Sequence, residues 1–414
     1  MLALRRVERH ATWLVTLLLL LAAGFIRFYR VTDSVHPDSL LWFRRTQVFW
    51  RMLGEGNFGD TYRAPHPGVM LMWLSGLVMK LNGTLEASID PRGLFALKVP
   101  GALLGSLAAG LTYPLARACL GKAQWAVAFL LAVFLATEPF LLEQSRMAHL
   151  DMAALGFAWL GVWLSMLAYE RSSPVSAWGA GALFGMACLT KLSLAPIPAT
   201  LMSILLVASA LTRFRDRRGL IVAVLATLGA VLTMFALWPA LWVSPSATLQ
   251  RMLREASEVS GREHGTRDPG VMFYVNYALH STPIETLALT LVGLASLSGW
   301  RGLPAQPRKH LVWVCLSLLP CIVLVASMPK KLSRYVLPVT PVLCVLASVG
   351  LAWIVRRAQA WRKLAPQLIV AGVGLLLVAR YARSVWILPS AQCSGLPGSS
   401  CERPSDMYFM RSVA

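Results

Sequence analysis

Acidic residues are scarce in this sequence, which has 19 Asp and Glu against 39 Lys and Arg among 414 residues. Charged residues of either sign make up only 14%, whereas 57% are hydrophobic and the mean hydropathy is +0.60. So few charges exclude a water-soluble domain of this length. Runs such as WLVTLLLLLAAGFI, from Trp13, are apolar on every side, whereas barrel strands alternate. The composition therefore predicts an all-α polytopic membrane protein.

Several functional motifs are also missing. The sequence has no Walker loop and no dinucleotide fingerprint, which argues against a nucleotide-driven motor. Its histidines lack the spacing of a structural zinc site, and no internal repeat or soluble domain is visible. The net charge of +20 comes from short basic clusters between apolar runs, which indicates membrane topology and not binding to nucleic acid.

The termini and cysteines add two expectations. The basic amino terminus runs into the first apolar segment without a small-residue cleavage site, so we expect an anchor and not a cleaved signal. Most of the seven cysteines lie in apolar runs. Only Cys393 and Cys401, in a polar tail, could form a disulfide, and only in an oxidising compartment.

The apolar runs predict about eleven transmembrane helices. These are 11–29, 94–116, 123–141, 151–169, 176–190, 192–210, 219–241, 284–300, 310–327, 335–355 and 365–386. The apolar segment 66–80 is short and is interpreted as an interfacial helix, because a span there would reverse the positive-inside pattern of the later loops.

This topology predicts a membrane-embedded unit over 1–389 and a short outer tail over 390–414. The protein is expected in the plasma membrane, with its amino terminus in the cytoplasm. The outer side then receives the loop 30–93, which contains interfacial helices, and the loop 242–283, a candidate substrate loop. It also receives the turn 141–151 and the segment 328–335, so function is expected there.

Two aspartates are the first candidates for chemistry. Asp38 follows the first span, and Asp151 begins the fourth, so both are expected at the same membrane depth. Such a pair suits the removal of a proton from an acceptor, or the binding of a divalent metal ion, which the sequence permits but does not require. The simpler interpretation of Asp38 alone is a helix N-cap.

A basic cluster is the second candidate site. Lys330, Lys331 and Arg334 lie at the outer end of a span, where topology signals are not expected, and Tyr335 follows them. Such cations suit a lipid phosphate, with Arg146 adding positive charge. The simpler interpretation is attraction to ordinary lipid headgroups.

Weaker candidates surround these two groups. Lys191 lies at an outward turn, Glu143 near a span end, and His66 and His149 could be auxiliary ligands or acid–base groups. Between 30 and 80, aromatic residues alternate with arginines, which favours a platform at the membrane interface over a passive aromatic belt.

The order of these features resembles the integral-membrane glycosyltransferases of the C fold, specifically family 39, with its protein O-mannosyltransferases and lipid A aminoarabinose transferase. The stretches are Asp38, LKVPGALLGSL, SRMAHLD, LTKLSLAPIP and KLSRYVLPVTP. The resemblance implies that Asp38 and Asp151 are the loop acids of the family. It also implies that Lys331, Arg334 and Tyr335 contact a sugar donor on a polyprenyl phosphate.

The implied activity is inverting transfer of that sugar to a glycan, lipid or protein acceptor. The sequence departs from the family at Ser39, where a second acid is often found, and at His66, where lipid A enzymes have lysine. An alternative from another class is a transporter or flippase of lipid-linked glycans. It would require charges near the bilayer midplane and duplicated halves.

Overall fold

The computed structural model describes residues 2–33, 38–261, 272–299, 304–327, 333–360 and 379–380. Throughout these ranges the secondary structure is helical, as the sequence predicts. The sixteen α-helices are α1 Leu2–Phe28, α2 Asp38–Gly54, α3 Val69–Leu81, α4 Pro91–Leu120, α5 Trp125–Thr137, α6 Pro139–Ser145, α7 Leu150–Arg171, α8 Pro174–Thr190, α9 Pro196–Leu211, α10 Arg218–Leu237, α11 Ala240–Val243, α12 Pro245–Gly261, α13 Met272–Ser281, α14 Ile284–Gly299, α15 Ala305–Ser327 and α16 Val339–Ala360.

Seven of the described helices are long and apolar enough to cross a membrane, or eight when a bent pair counts as one span. The chain is therefore a multi-pass integral membrane protein. Adding the shorter apolar helices α8 and α14 accounts for ten of the eleven predicted spans. The eleventh, 365–386, lies outside the described residues except for 379–380, so the count of eleven stays a prediction.

Helix α7 lies in the middle of the molecule, because 94% of its apolar membrane-spanning stretch is buried. It packs against α4 on one side and α8 on the other. Helix α8 in turn packs on α10, where Gly185 allows close approach, because a Cβ there would lie 2.6 Å from the Ala230 carbonyl oxygen. The core is thus built around the helix whose first turn contains Asp151.

The predicted span 123–141 is broken in the structure. Helix α5 ends at Thr137, and α6 begins at Pro139 with a bend of 56°. Proline has no N–H to donate to the carbonyl of Leu135, so a continuous helix is disfavoured at this point. The break brings the short helix α6 and the turn after it to the start of α7.

Segment 66–80, predicted as an interfacial helix, contains α3, a helix of 13 residues. It packs on α2, α4 and α8, and Val69, Leu71 and Met72 are fully buried within the protein. The predicted span at 335–355 begins later, at Val339, because Ser333–Val336 forms a 3₁₀ turn. That turn places Arg334 and Tyr335 beside the first turn of α7.

Candidate active site

Asp38 is the first residue of α2. The helix is held in place by Trp42, Phe43 and Phe49, whose rings are all buried. The ring of Trp42 lies against Gly68, which adopts a left-handed conformation with φ of 61° just before α3. Aromatic burial therefore fixes the helix that carries Asp38, and the platform at the membrane interface stays a prediction.

Asp151 lies in the first turn of α7 and is 5% exposed. The preceding His149 has an extended backbone, with φ of −142° and ψ of 164°, and marks the start of the helix. A carboxylate in the first turn is favourably placed relative to the helix dipole, but its burial also requires positive partners.

Lys191 provides one of these partners. It follows the last residue of α8 in an extended conformation, with φ of −151° and ψ of 111°. Its amino group forms an ion pair with Asp151 Oδ1, and both side chains are almost fully buried. The same amino group lies 4.8 Å from the ring centroid of Tyr335, a distance typical of a cation–π contact.

Arg334 reaches both acids. Its Nη1 lies 3.8 Å from Asp38 Oδ2, and its Nε lies 3.8 Å from Asp151 Oδ2. These distances exceed those of hydrogen bonds, so the guanidinium acts on both carboxylates as a nearby charge. With 23% of its side chain exposed, Arg334 can also reach an anion entering from outside.

His149 lies between the two acids. Its Nε2 is 3.2 Å from Asp38 Oδ2, while its Nδ1 contacts Asp151 Oδ2. The imidazole is 7% exposed and thus connects a carboxylate on α2 to a carboxylate on α7. Asp38, His149, Asp151, Lys191 and Arg334 therefore form one cluster, which we call the acid–base cluster.

A small cavity of about 10 Å³, room for about one water, opens beside this cluster. It is lined by Asp151, Lys191, Ser193, Leu194, Arg334, Tyr335, Leu337 and Pro338. Burial raises the pKa of Tyr335 to about 12, so its phenol stays protonated at neutral pH. The cavity thus offers two cations and a hydroxyl donor to an anionic group.

The remaining predicted site residues lie in different surroundings. Arg146 Nη2 donates to the carbonyl oxygens of Tyr29 at 2.7 Å and Arg30 at 3.0 Å. His66 is half-buried in the segment before α3, and Glu143 is half-buried on α6. Lys330 and Lys331, like Cys393 and Cys401, lie outside the described residues.

Sequence reasoning gave too little weight to His149 and Lys191, which are central to the cluster. The signal for Lys191 was a lysine between two apolar runs, which in a membrane protein indicates a buried partner. Lys98 was not predicted from the sequence as a functional residue. It is fully buried on α4 and donates to the Val31 carbonyl oxygen at 2.6 Å. That bond holds α4 to the chain leading towards Asp38.

The acid–base cluster does not fit a divalent metal ion bridging the two acids. His149 lies where such an ion would bind, and the charges of Lys191 and Arg334 already balance those of Asp38 and Asp151. A bridging ion would add positive charge beside two fixed cations. No group of three or more His, Cys, Asp or Glu among the described residues is arranged to hold a metal.

Residues 65–242 match the family model described as dolichyl-phosphate-mannose-protein mannosyltransferase. No curated protein matches the sequence at a significant level. The matched residues include Asp151 and Lys191, whereas Asp38 and Arg334 lie outside them.

Solved structures resemble the whole chain. ArnT from Cupriavidus metallidurans bound to undecaprenyl phosphate is 17% identical, with a TM-score of 0.57 over 90% of this chain and 69% of that one. The oligosaccharyltransferase AglB from Archaeoglobus fulgidus, in complex with an inhibitory peptide and a dolichol-phosphate, is 15% identical with a TM-score of 0.59. That match covers 98% of this chain but only 58% of AglB.

The apo state of ArnT matches equally well, at 19% identity and a TM-score of 0.58. The predicted resemblance to the C-fold glycosyltransferases is therefore confirmed by the family model and by the shared fold. The chain has the fold of the polyprenyl-phosphate-dependent integral-membrane glycosyltransferases.

Proposed function

We propose that this protein is an inverting glycosyltransferase at the outer face of the plasma membrane. It takes a sugar from a polyprenyl-phosphate donor and transfers it to an envelope glycan, lipid or protein. The observation that carries the proposal is the acid–base cluster, in which acids from α2 and α7 share Arg334. The fold shared with ArnT and AglB supports the same conclusion.

The charges of the cluster suit both halves of the reaction. As the bond between the sugar and the phosphate breaks, negative charge develops on the leaving phosphate, and Lys191 and Arg334 are placed to stabilise it. Tyr335 can donate a hydrogen bond to the same group. We propose that the phosphate lies against these three residues, beside the small cavity that they line.

Asp38 is the proposed base. It is the more exposed of the two acids, with 34% of its side chain accessible against 6% for Asp151. An acceptor hydroxyl can therefore reach Asp38, while Asp151 is occupied by Lys191. A single displacement at the anomeric carbon, with the acceptor opposite the leaving phosphate, inverts its configuration.

The test uses purified protein in lipid nanodiscs with polyprenyl-phosphate sugars and a membrane extract as the acceptor source. Release of polyprenyl phosphate is measured for the wild type and Asp38→Asn. We expect release by the wild type and a loss of at least about 100-fold in the variant. Equal rates in the two proteins would remove Asp38 from the mechanism.

Asp60→Asn is the matched control, because Asp60 is an exposed acid between α2 and α3 whose carboxylate accepts a hydrogen bond from Asn57. It should retain wild-type release. Passage of intact lipid-linked glycan across the membrane without phosphate release would contradict the proposal and favour the flippase.

A further inference from the structure

The position of His149 suggests more than a structural contact. Each ring nitrogen faces a different carboxylate, with Nε2 at 3.2 Å from Asp38 Oδ2 and Nδ1 against Asp151 Oδ2. An imidazole held in this way has its tautomer fixed by the acid on one side, so that the other nitrogen has a defined role. We propose that His149 receives the proton that Asp38 takes from the acceptor hydroxyl.

This inference rests on the proposed function and adds a residue to it. Asp151 is the group that orients His149, because its Oδ2 contacts Nδ1 while its Oδ1 is held by Lys191. A proton placed on Nδ1, on the side of Asp151, leaves the lone pair of Nε2 facing Asp38. Nε2 and Asp38 Oδ2 are then two electron-rich atoms 3.2 Å apart, which repel each other until a proton lies between them.

The transfer balances as follows. The acceptor oxygen forms a bond to the anomeric carbon while the bond from that carbon to the phosphate oxygen breaks, and the phosphate leaves with the electron pair. The hydroxyl proton passes to the Asp38 carboxylate and is held between Asp38 Oδ2 and His149 Nε2. The pair of side chains gains one proton, and no oxidant, reductant or further reactant is needed.

The charges in the cluster favour this route. Before the reaction, the charges of Lys191 and Arg334 balance those of Asp38 and Asp151. After proton transfer, the cluster carries one added positive charge beside the newly formed phosphate. Opposite charges developing together at a buried site lower the energy of the transition state.

The burial of His149 supports a role in proton transfer. At 7% exposure, its ring is shielded from bulk water, whereas Asp38 is open to the outside. A proton held between the two side chains therefore stays within the site during the transfer. Among the described residues, Asp38 on α2 and Asp151 on α7 face the imidazole, and Lys191 after α8 and Arg334 in the 3₁₀ turn lie against those two acids.

The test is a double-mutant cycle on polyprenyl-phosphate release, using Asp38→Asn, His149→Gln and the double variant. If both residues belong to one proton path, His149→Gln lowers kcat by about 100-fold with KM for the donor unchanged. The double variant is then no slower than the slower single variant. His10→Gln, an exposed residue on α1, is the matched control and should retain the wild-type rate.

If the loss of kcat in the double variant equals the product of the two single losses, the two residues act independently and the proton path is overturned. A rise in KM without loss of kcat in His149→Gln would overturn it as well. Either result would leave a structural role for His149. Unfolding temperatures of all variants show whether folding is affected. His149→Asn gives a second reading, because its amide can satisfy Asp151 but cannot hold the proton, and it should be as slow as His149→Gln. If the wild type itself releases no phosphate, the proposed function fails, which is a separate outcome.

Discussion

Lys191 and Asp151 form an ion pair in which neither side chain has more than 6% of its surface exposed. Removing one member of such a pair leaves a buried charge without its counter-ion, which typically costs about 3–5 kcal/mol. We therefore expect Lys191→Met to lower the free energy of unfolding by about that amount. Chemical denaturation of the purified protein in detergent measures the change.

The double variant Lys191→Met with Asp151→Asn separates stability from activity. It removes both charges and should recover most of the lost stability, since no unpaired charge remains. It should not recover phosphate release, because Lys191, one of the two cations that stabilise the leaving group, is gone. A double variant with restored activity would contradict the role assigned to Lys191.

Tyr335 gives a second prediction at the residue scale. Its ring lies 4.8 Å from the Lys191 amino group, so the ring is needed for the cation–π contact while the hydroxyl is needed only to donate to the phosphate. Tyr335→Phe should raise KM for the donor with little loss of stability. Tyr335→Leu should also lower the unfolding temperature, and equal unfolding temperatures would contradict the ring contact.

The same tyrosine predicts a dependence on pH. Burial raises the pKa of Tyr335 to about 12, so the unfolded chain loses this proton first as the pH rises. The stability that the protonated phenol contributes is present below about pH 10 and is lost between about pH 10 and 12. The free energy of unfolding, measured from about pH 9 to about pH 12, should therefore fall more steeply for the wild type than for Tyr335→Phe.

Single residues also show what a sequence can and cannot reveal. Asp38, Asp151 and Arg334 are polar residues at the ends of apolar runs, so their importance is visible without a structure. The contact of His149 with both acids is not visible, because it depends on how α2 and α7 approach each other. Arg146 was predicted to face the phosphate, but its described bonds are to main-chain carbonyls, and that role stays a prediction.

At the scale of elements, the break between α5 and α6 positions the start of α7. The guanidinium of Arg27 is fully buried and donates to the carbonyl oxygens of Leu135 at 2.9 Å and Ala136 at 3.1 Å. Its Nε also lies 3.2 Å from Ser145 Oγ at the end of α6. Arg27 thus satisfies carbonyls that the break leaves without helical partners and ties both helices to α1.

Arg27→Leu should therefore affect both folding and catalysis. Each carbonyl left buried without a donor costs about 1–3 kcal/mol, so we expect a loss of at least about 2 kcal/mol in unfolding free energy. A lower kcat with an unchanged donor KM is expected as well, because the turn before Asp151 loses its support. Arg9→Leu, on the exposed part of α1, should change stability by less than about 0.5 kcal/mol.

The sequence predicts an apolar span over 123–141 but not its break. Pro139 is a signal for a kink, yet its cost is low only because a buried arginine from α1 supplies the missing hydrogen bonds. Hydropathy alone cannot identify such a partner, since it lies more than a hundred residues away. The presence of the long apolar helices was predicted well for the opposite reason, because composition determines it locally.

At the scale of the whole molecule, several basic loop residues lie at the end opposite the acid–base cluster. Lys122 forms an ion pair with Glu8, and Arg356 Nη2 donates to Gln124 Oε1 at 2.7 Å. Lys309 lies 4.9 Å from the ring of Tyr169, at the far end of α7 from Asp151. These contacts bring together the basic loops that the positive-inside rule would assign to the cytoplasm.

Labelling of single cysteines in intact cells tests this orientation. The background replaces Cys393 and Cys401 by serine, because the five described cysteines are buried or half-buried. Asp60→Cys, on an exposed turn at the end with the acid–base cluster, should react with a membrane-impermeant thiol reagent added outside. Lys122→Cys, at the opposite end with 68% of the native side chain exposed, should react only after the membrane is permeabilised. The reverse pattern would put the acid–base cluster in the cytoplasm, where a donor presented at the outer face of the membrane could not reach Arg334 or Lys191.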